Sequence, residues 1–294
     1  MGTFIRSICS DFLEMNKLNE NLRKYLFIEK YYSKYLDEFT RKNHILIYLL
    51  KNDRNCLKKF DEILKDLDNI PNLSHLIKKS RNPRDFLSIF SEMKILHYLI
   101  GKVEKASVIV SHKSSPDFKI RKSNFEITIE VKRIIDKYEA LTGISPTHSE
   151  YAYEIDDIST ITNATTKSIE GKQYFQSSAH LFVFDCASGI YEEEFADIFC
   201  SQRGKAIPLK NGRFGIVTDD GLFYEKGENG KFLYEMISGV VAIFSGQTIS
   251  FDPDLQLLNI KGPRKIYFEN PNASKKLPRN LVEEIGFQIF KPLS

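Results

Sequence analysis

The 294-residue sequence predicts an α/β fold, a mixed sheet flanked by helices in three layers, preceded by an all-helical region over residues 1–80. Three observations carry this. Apolar residues recur at three- and four-residue steps through the first eighty positions, the spacing that lines one face of a helix. After Asn82-Pro83 the pattern changes to one helix and then short runs, the longest alternating every second residue. Further on, the run HLFVFDCA at 180–187 has the length and composition of a strand buried on both faces.

The elements follow in order. Leu13, Met15, Leu18, Leu22, Tyr25 and Leu26 form one helical stripe, and Ile45, Leu49, Leu57, Phe60, Ile63 and Leu64 a second one over about 43–67. Pro71 and Asn72 break the pattern, and a short helix fits 74–79. A helix over 83–100 has Asn82 to cap it, Pro83 for its first turn and Gly101 to end it. A short strand is expected at 106–110 and a polar turn at 111–115. A hairpin is expected from 118–120 and 125–134 around Arg121-Lys122-Ser123-Asn124. The polar stretch 136–157 is a loop or an insertion. A helix over 159–176, the strand at 180–187 and a helix over 191–201 come next, so the middle reads α-β-β-β-α-β. A hairpin is expected over 213–234, turning at Asp219-Asp220-Gly221 and Asn229-Gly230, with late strands at 239–244 and 265–268. The domain division expected is 1–80 and 81–294, with the hairpin as an insertion near 210–235. No repeat or low-complexity segment is visible.

Composition bounds the function. Hydrophobic residues at 42% and charged residues at 28% describe a chain able to bury a core. The net charge is +3, but residues 1–80 carry 15 Lys/Arg against 11 Asp/Glu, a mild basic bias compatible with a polyanionic partner. Cys9, Cys56, Cys186 and Cys200 form no CxxC pair, and no His stands at a zinc-ligand spacing from them, which argues against a zinc site or a disulfide framework. No apolar run approaches the ~20 residues that span a bilayer. The start MGTFIRSICSDF has neither a signal-peptide pattern nor the usual myristoylation spacing. A cytoplasmic location, without membrane association, is the expectation.

The chemistry concentrates in SPDFKIRKSNFEITIEVKRI, residues 115–134. Alternation puts Phe125, Ile127, Ile129 and Val131 on one strand face and Glu126, Thr128, Glu130 and Lys132 on the other. Asp117 precedes the partner strand at a turn that can carry it toward Glu130. Two carboxylates and an ammonium converge. Earlier in the chain, Glu92 falls three residues after Ile89 and four before Leu96, on or beside the apolar stripe of its helix. An acid there is costly unless paired or bound to a cation, or unless its head reaches water past the stripe's edge.

Pro116-Asp117, twelve intervening residues and Glu130-Val131-Lys132 together resemble the PD-(D/E)xK nuclease superfamily, whose fold is restriction-endonuclease-like. The resemblance covers 83–187 well and 188–280 loosely. It implies Asp117 and Glu130 as ligands of Mg²⁺, for which Mn²⁺ could substitute, with Glu92 completing the shell from the preceding helix. Carboxylate oxygens suit such a hard ion, which polarises the phosphate and acidifies a bound water. Lys132 would orient or deprotonate that water and offset transition-state charge. Members often place a Lys or Gln on the helix that follows, where this chain has Lys172-Gln173. Gln173 is the better candidate, and an ordinary solvated helix end is the alternative. The tail, GVVAIFSG and KIYFENPNASKKLP, is similar to the way some members close the sheet through an Asn-Pro loop.

Other candidates explain less. His112 reads as an exposed loop residue, Glu126 either flanks the metal or faces solvent, and Asp219-Asp220-Gly221 is accounted for by turn chemistry. No P-loop, GxSxG, dinucleotide fingerprint or HExxH occurs. The resemblance therefore implies a Mg²⁺-dependent endonuclease-type phosphodiesterase acting on nucleic acid, DNA before RNA, with a homodimer as one assembly it allows. Residues 1–80 would bind substrate or a partner chain. The rival is a nuclease-like module that grips nucleic acid or protein without cutting. A helical scaffold with a chance motif is a third reading, and it requires Asp117 and Glu130 to be far apart.

Overall fold

The computed structural model describes residues 62–80, 85–110, 115–134, 157–170, 174, 177–186, 192–200, 204–208, 214–218, 221–244, 248–252, 257–261 and 264–291. The chain divides into two compact units. One comprises 1–101, 106–110 and 137–149, and the other 102–105, 111–136 and 150–294. Residues 1–61, which hold most of the two expected helical stripes, lie outside the described residues, and 62–66 at the end of the second stripe are helical.

In the first unit, α1 (Leu73–Ser80) follows the turn at Pro71-Asn72. Asn72 takes a left-handed φ of 64°, which Asn tolerates, and its side-chain amide donates to the Val108 carbonyl at 3.1 Å. The helix α2 (Phe86–Ile100) begins three residues later than expected. Asp85 stands at its N-terminal boundary without a side-chain cap, and Asn82 and Pro83, expected to cap and open the helix, lie outside the described residues. Gly101 does end the helix, but at φ −78°, so it terminates it without the left-handed turn that favours glycine. Ile89, Met93 and Leu96 are buried as the stripe requires, and so are Ile95 and Leu99 beside it, so the buried face is wider than that stripe.

A seven-stranded mixed sheet with flanking helices makes this an α/β protein. Its strands are β1 (Lys105–Val108), β2 (Phe118–Lys122), β3 (Phe125–Ile134), β4 (Ala179–Cys186), β7 (Gly239–Phe244), β10 (Arg264–Glu269) and β11 (Gln288–Ile289), in the order β1-β2-β3-β4-β7-β10-β11. The hairpin β2–β3 turns at Ser123-Asn124, Ser123 at φ 53° with its N–H donating to Glu104 Oε1 at 2.9 Å. Strands β3, β4 and β7 run parallel at the centre. The crossover from β3 to β4 carries α3 (Asp157–Glu170), which no longer continues at residue 174, and β4 is followed by α4 (Glu192–Cys200). Among the described residues the order from α2 to β4 is α-β-β-β-α-β, as the sequence pattern predicts.

The parallel register fixes which residues share a face. Thr128, Glu130 and Lys132 of β3 stand beside His180, Phe182 and Phe184 of β4, and the last two beside Val240 and Ala242 of β7. Helices α3 and α4 cover this face through Ile161, Phe195 and Phe199. Phe195 meets Phe184 edge-on at 5.6 Å and stacks on Phe268 at 5.9 Å. Burial of each such ring contributes about 1.5–3 kcal/mol, which anchors the two helices on the sheet.

Beyond the core the sequence pattern misplaces one hairpin. The strand β6 (Phe214–Thr218) pairs with β5 (Gly204–Pro208), ahead of the expected 213–234 unit. Residues 222–224 form a 3₁₀ turn, and Asn229-Gly230 closes only a single bridge, Lys226 to Phe232. The hairpin β8 (Thr248–Asp252) with β9 (Leu257–Lys261), the helix α5 (Arg279–Glu284) and the short β11 had no clear signal in the pattern.

Candidate functional site

The β2–β3 hairpin brings Asp117, Glu130 and Lys132 together. Asp117 sits at the bend that enters β2. Its N–H donates to the Ile129 carbonyl at 2.9 Å, and its Oδ2 accepts the Val131 N–H at 2.7 Å. Those two contacts bracket Glu130, so the aspartate is clamped against the strand segment that carries the second acid. Asp117 and Glu130 are therefore near neighbours, whereas the helical-scaffold reading expects them far apart. Pro116, which cannot donate a ladder hydrogen bond, is buried just outside the last regular pair, Phe118 with Ile129.

Glu130 is 2% exposed, beside the buried Phe182. Lys132, two residues along the same face, brings its Nζ to 2.5 Å from Glu130 Oε1. Alternation along a strand makes this i, i+2 contact available, and the apolar surroundings strengthen it. The expectation of one apolar and one polar face needs a correction here. Ile127, Ile129 and Val131 are buried, but so are Thr128 and Glu130, because β3 lies inside the sheet with a helix over its second face.

Next to this pair lies a group that the sequence motif did not single out. His180 and Thr128 are both fully buried, with Nδ1 of the ring 2.9 Å from Thr128 Oγ1. Thr128 Oγ1 donates to the Ala179 carbonyl at 3.2 Å, so the hydroxyl accepts from Nδ1–H and the Nε2 lone pair is bare. Among the described residues Nε2 has no hydrogen-bond partner. Burial first, then the charge of Lys132, holds the imidazole pKa down at about 3, so the ring is neutral at any physiological pH. The available signal was the alternation of 180–187, which sets His180 on the face of Phe182 and Phe184. Asp185, the buried acid of the same strand, falls on the opposite face.

Glu92 lies on α2 in the first unit and is buried, 7% exposed. Glu126 faces outward at the hairpin's far end, held by Lys119 at 3.2 Å and by the Ser178 hydroxyl at 3.1 Å. Partial burial pushes its pKa up, but Lys119, Ser178 and Arg121 outweigh that and keep it lowered, as for a surface carboxylate in an ion pair. Gln173, Lys172, His112 and Asp219-Asp220 lie outside the described residues.

The donor chemistry fits a hard divalent ion. Asp117 and Glu130 offer carboxylate oxygens, and Mg²⁺ keeps several waters and binds through one or two carboxylates. Among the described residues no three His, Cys, Asp or Glu side chains form a ready metal cage. An ion there would be held by these two carboxylates and water. No protein-family model, curated protein or solved structure matches this chain.

Proposed function

We propose that the protein is a metal-dependent nuclease of the PD-(D/E)xK type, hydrolysing phosphodiester bonds of nucleic acid, with DNA the substrate class. One observation carries the reading: Asp117 is clamped beside Glu130 on a single hairpin whose next facing residue, Lys132, contacts Glu130. Two acids and an ammonium at one place are what metal-assisted phosphodiester hydrolysis requires, and a binding surface alone has no need to bury one of those acids.

Asp117 and Glu130 would hold the ion, which when bound supplies Lewis acidity and an acidified water. Asp117 presents its carboxylate from a position fixed by the Val131 N–H, so little ordering is left for the moment of binding. Lys132 orients the attacking water and offsets the charge that develops on phosphate oxygens. The Lys132 side chain is 26% exposed, so it is not sealed in the core as Glu130 is. Gln173 is a further contributor in this reading, and the basic excess of residues 1–80 would hold the polyanion.

The test is cleavage of plasmid, linear and single-stranded DNA, and of RNA, with Mg²⁺ or Mn²⁺, by wild type and Lys132→Ala. Wild type is expected to cut DNA, and the variant to cut at least roughly a hundredfold slower. Nucleic-acid affinity should be nearly unchanged, since one phosphate contact alters the salt slope by about one unit. Binding without cutting by wild type, under every metal, would transfer the assignment to the non-catalytic module.

A further inference from the structure

The Glu130–Lys132 pair is asymmetric. The Glu130 side chain is 3% exposed and the Lys132 side chain 26%. Glu130 stands beside Phe182, at the border of the apolar cluster under α3 and α4. An ionised carboxylate there needs a cation close by, because burial raises the cost of its charge far above that at the surface. Lys132 supplies one at 2.5 Å. The lysine's partly exposed, flexible stem lets its head turn to water, whereas the buried acid has nowhere to go. His180, on the same face, cannot act as the alternative cation, since its ring stays neutral.

We propose that Lys132 is the exchangeable counter-cation of Glu130, and that a divalent ion bound at Asp117 and Glu130 takes over the neutralisation of the buried carboxylate and frees the ammonium toward solvent. The inference rests on the reading of Asp117 and Glu130 as metal ligands but does not require cleavage. Ammonium and metal compete for one carboxylate, so Lys132 weakens metal binding while securing the metal-free fold. The exchange also delivers the ammonium toward the substrate only when the ion is in place.

The test uses the full chain, Mn²⁺ as probe, electron paramagnetic resonance to count free ion, and melting temperatures with and without Mn²⁺. Lys132→Met keeps the stem and removes the charge. It is expected to melt lower than wild type without metal, to bind Mn²⁺ about tenfold tighter or more, and to gain more in melting temperature from Mn²⁺ than wild type does. Glu130→Gln with Lys132→Met removes both charges and should recover the metal-free melting temperature while losing the response to Mn²⁺. Mn²⁺ affinity in Lys132→Met equal to or weaker than wild type overturns the exchange. So does a Lys132→Met protein that fails to fold even with Mn²⁺ while the double variant folds, and so does a double variant no more stable than Lys132→Met. Cleavage assayed in parallel keeps the readings apart: tighter Mn²⁺ binding without any cutting leaves the exchange standing and removes the nuclease, and cutting with unchanged Mn²⁺ affinity does the reverse.

Discussion

Thr128 Oγ1 and His180 Nδ1 meet at 2.9 Å across the parallel β3–β4 pair, both side chains fully buried. The contact joins the strand that carries Glu130 to the central strand of the sheet through side chains, in addition to the backbone ladder. It also fixes the proton on Nδ1 and leaves a neutral imidazole in the core.

A pH dependence of stability follows. The folded-state pKa of His180 is lowered from 6.5 to about 3, so between those values the unfolded chain takes up a proton that the folded chain refuses. The stability associated with the neutral ring is complete above pH 6.5 and is lost as the pH falls toward 3. Wild type should lose about 2 kcal/mol more than His180→Asn between pH 7.5 and pH 5, at ~1.36 kcal/mol per unit below the unfolded pKa. Urea unfolding of both proteins at the two pH values measures it. Equal losses would show that His180 titrates alike in the folded and unfolded chain.

Asp117 has a structural duty that separates its two replacements. Asparagine retains an oxygen to accept the Val131 N–H, so Asp117→Asn should fold with stability within about 1 kcal/mol of wild type, whereas Asp117→Ala leaves that N–H unmatched and should cost about 1–3 kcal/mol. Both should lose cleavage, and Mg²⁺ or Mn²⁺ should raise the melting temperature of wild type but not of Asp117→Asn. A metal-induced rise of the same size in Asp117→Asn would remove the aspartate from the metal site.

Gly239 opens β7 where the Tyr267 ring crosses its backbone. A Cβ there would lie 2.3 Å from Tyr267 Cε2 and 2.7 Å from the Phe268 carbonyl oxygen. The ring has no room to retreat, being fully buried with its hydroxyl donating to the Ser238 carbonyl at 3.0 Å. Gly239→Ala should therefore destabilise by about 2–3 kcal/mol through overpacking, read as a lower urea midpoint. In Gly239→Ala with Tyr267→Leu the penalty should shrink, and additivity of the two changes would mean that the ring is not what resists the methyl group.

Asn270 is fully buried, and its amide donates to the Tyr234 carbonyl at 2.9 Å and the Ile237 carbonyl at 2.8 Å. Its Oδ1 accepts the Asn272 N–H at 2.9 Å, so the Asn270-Pro271 turn is tied to the segment that leads into β7. Asn270→Ala should cost about 2–4 kcal/mol, and Asn270→Asp about as much, because a carboxylate cannot donate to either carbonyl. Thermal unfolding checks both. Wild-type stability in the Asn270→Asp variant would mean that the two carbonyls find other donors.

Local pattern alone was enough to set the elements with a strong signal and to single out the residues of the motif. β3 alternates without a break from Phe125 to Lys132, and β4 is a largely apolar run of strand length, so their bounds were legible to within one residue. The weak alternation after Gly204 carried too little signal, and there the hairpin was displaced. Alternation also assigned Glu130 and Lys132 to one face, because that is a property of the strand alone. It could not say that this face would be covered. Only the sheet order, with β3 between β2 and β4, and the packing of α3 and α4 over Phe182 and Phe184 made Glu130 a buried acid. The same packing turned a surface-type lysine contact into a charge pair in an apolar setting and made His180 a neutral core residue opposite Thr128. Burial and register between strands distant in sequence arise from how elements pair and stack, and a pattern confined to one strand contains neither.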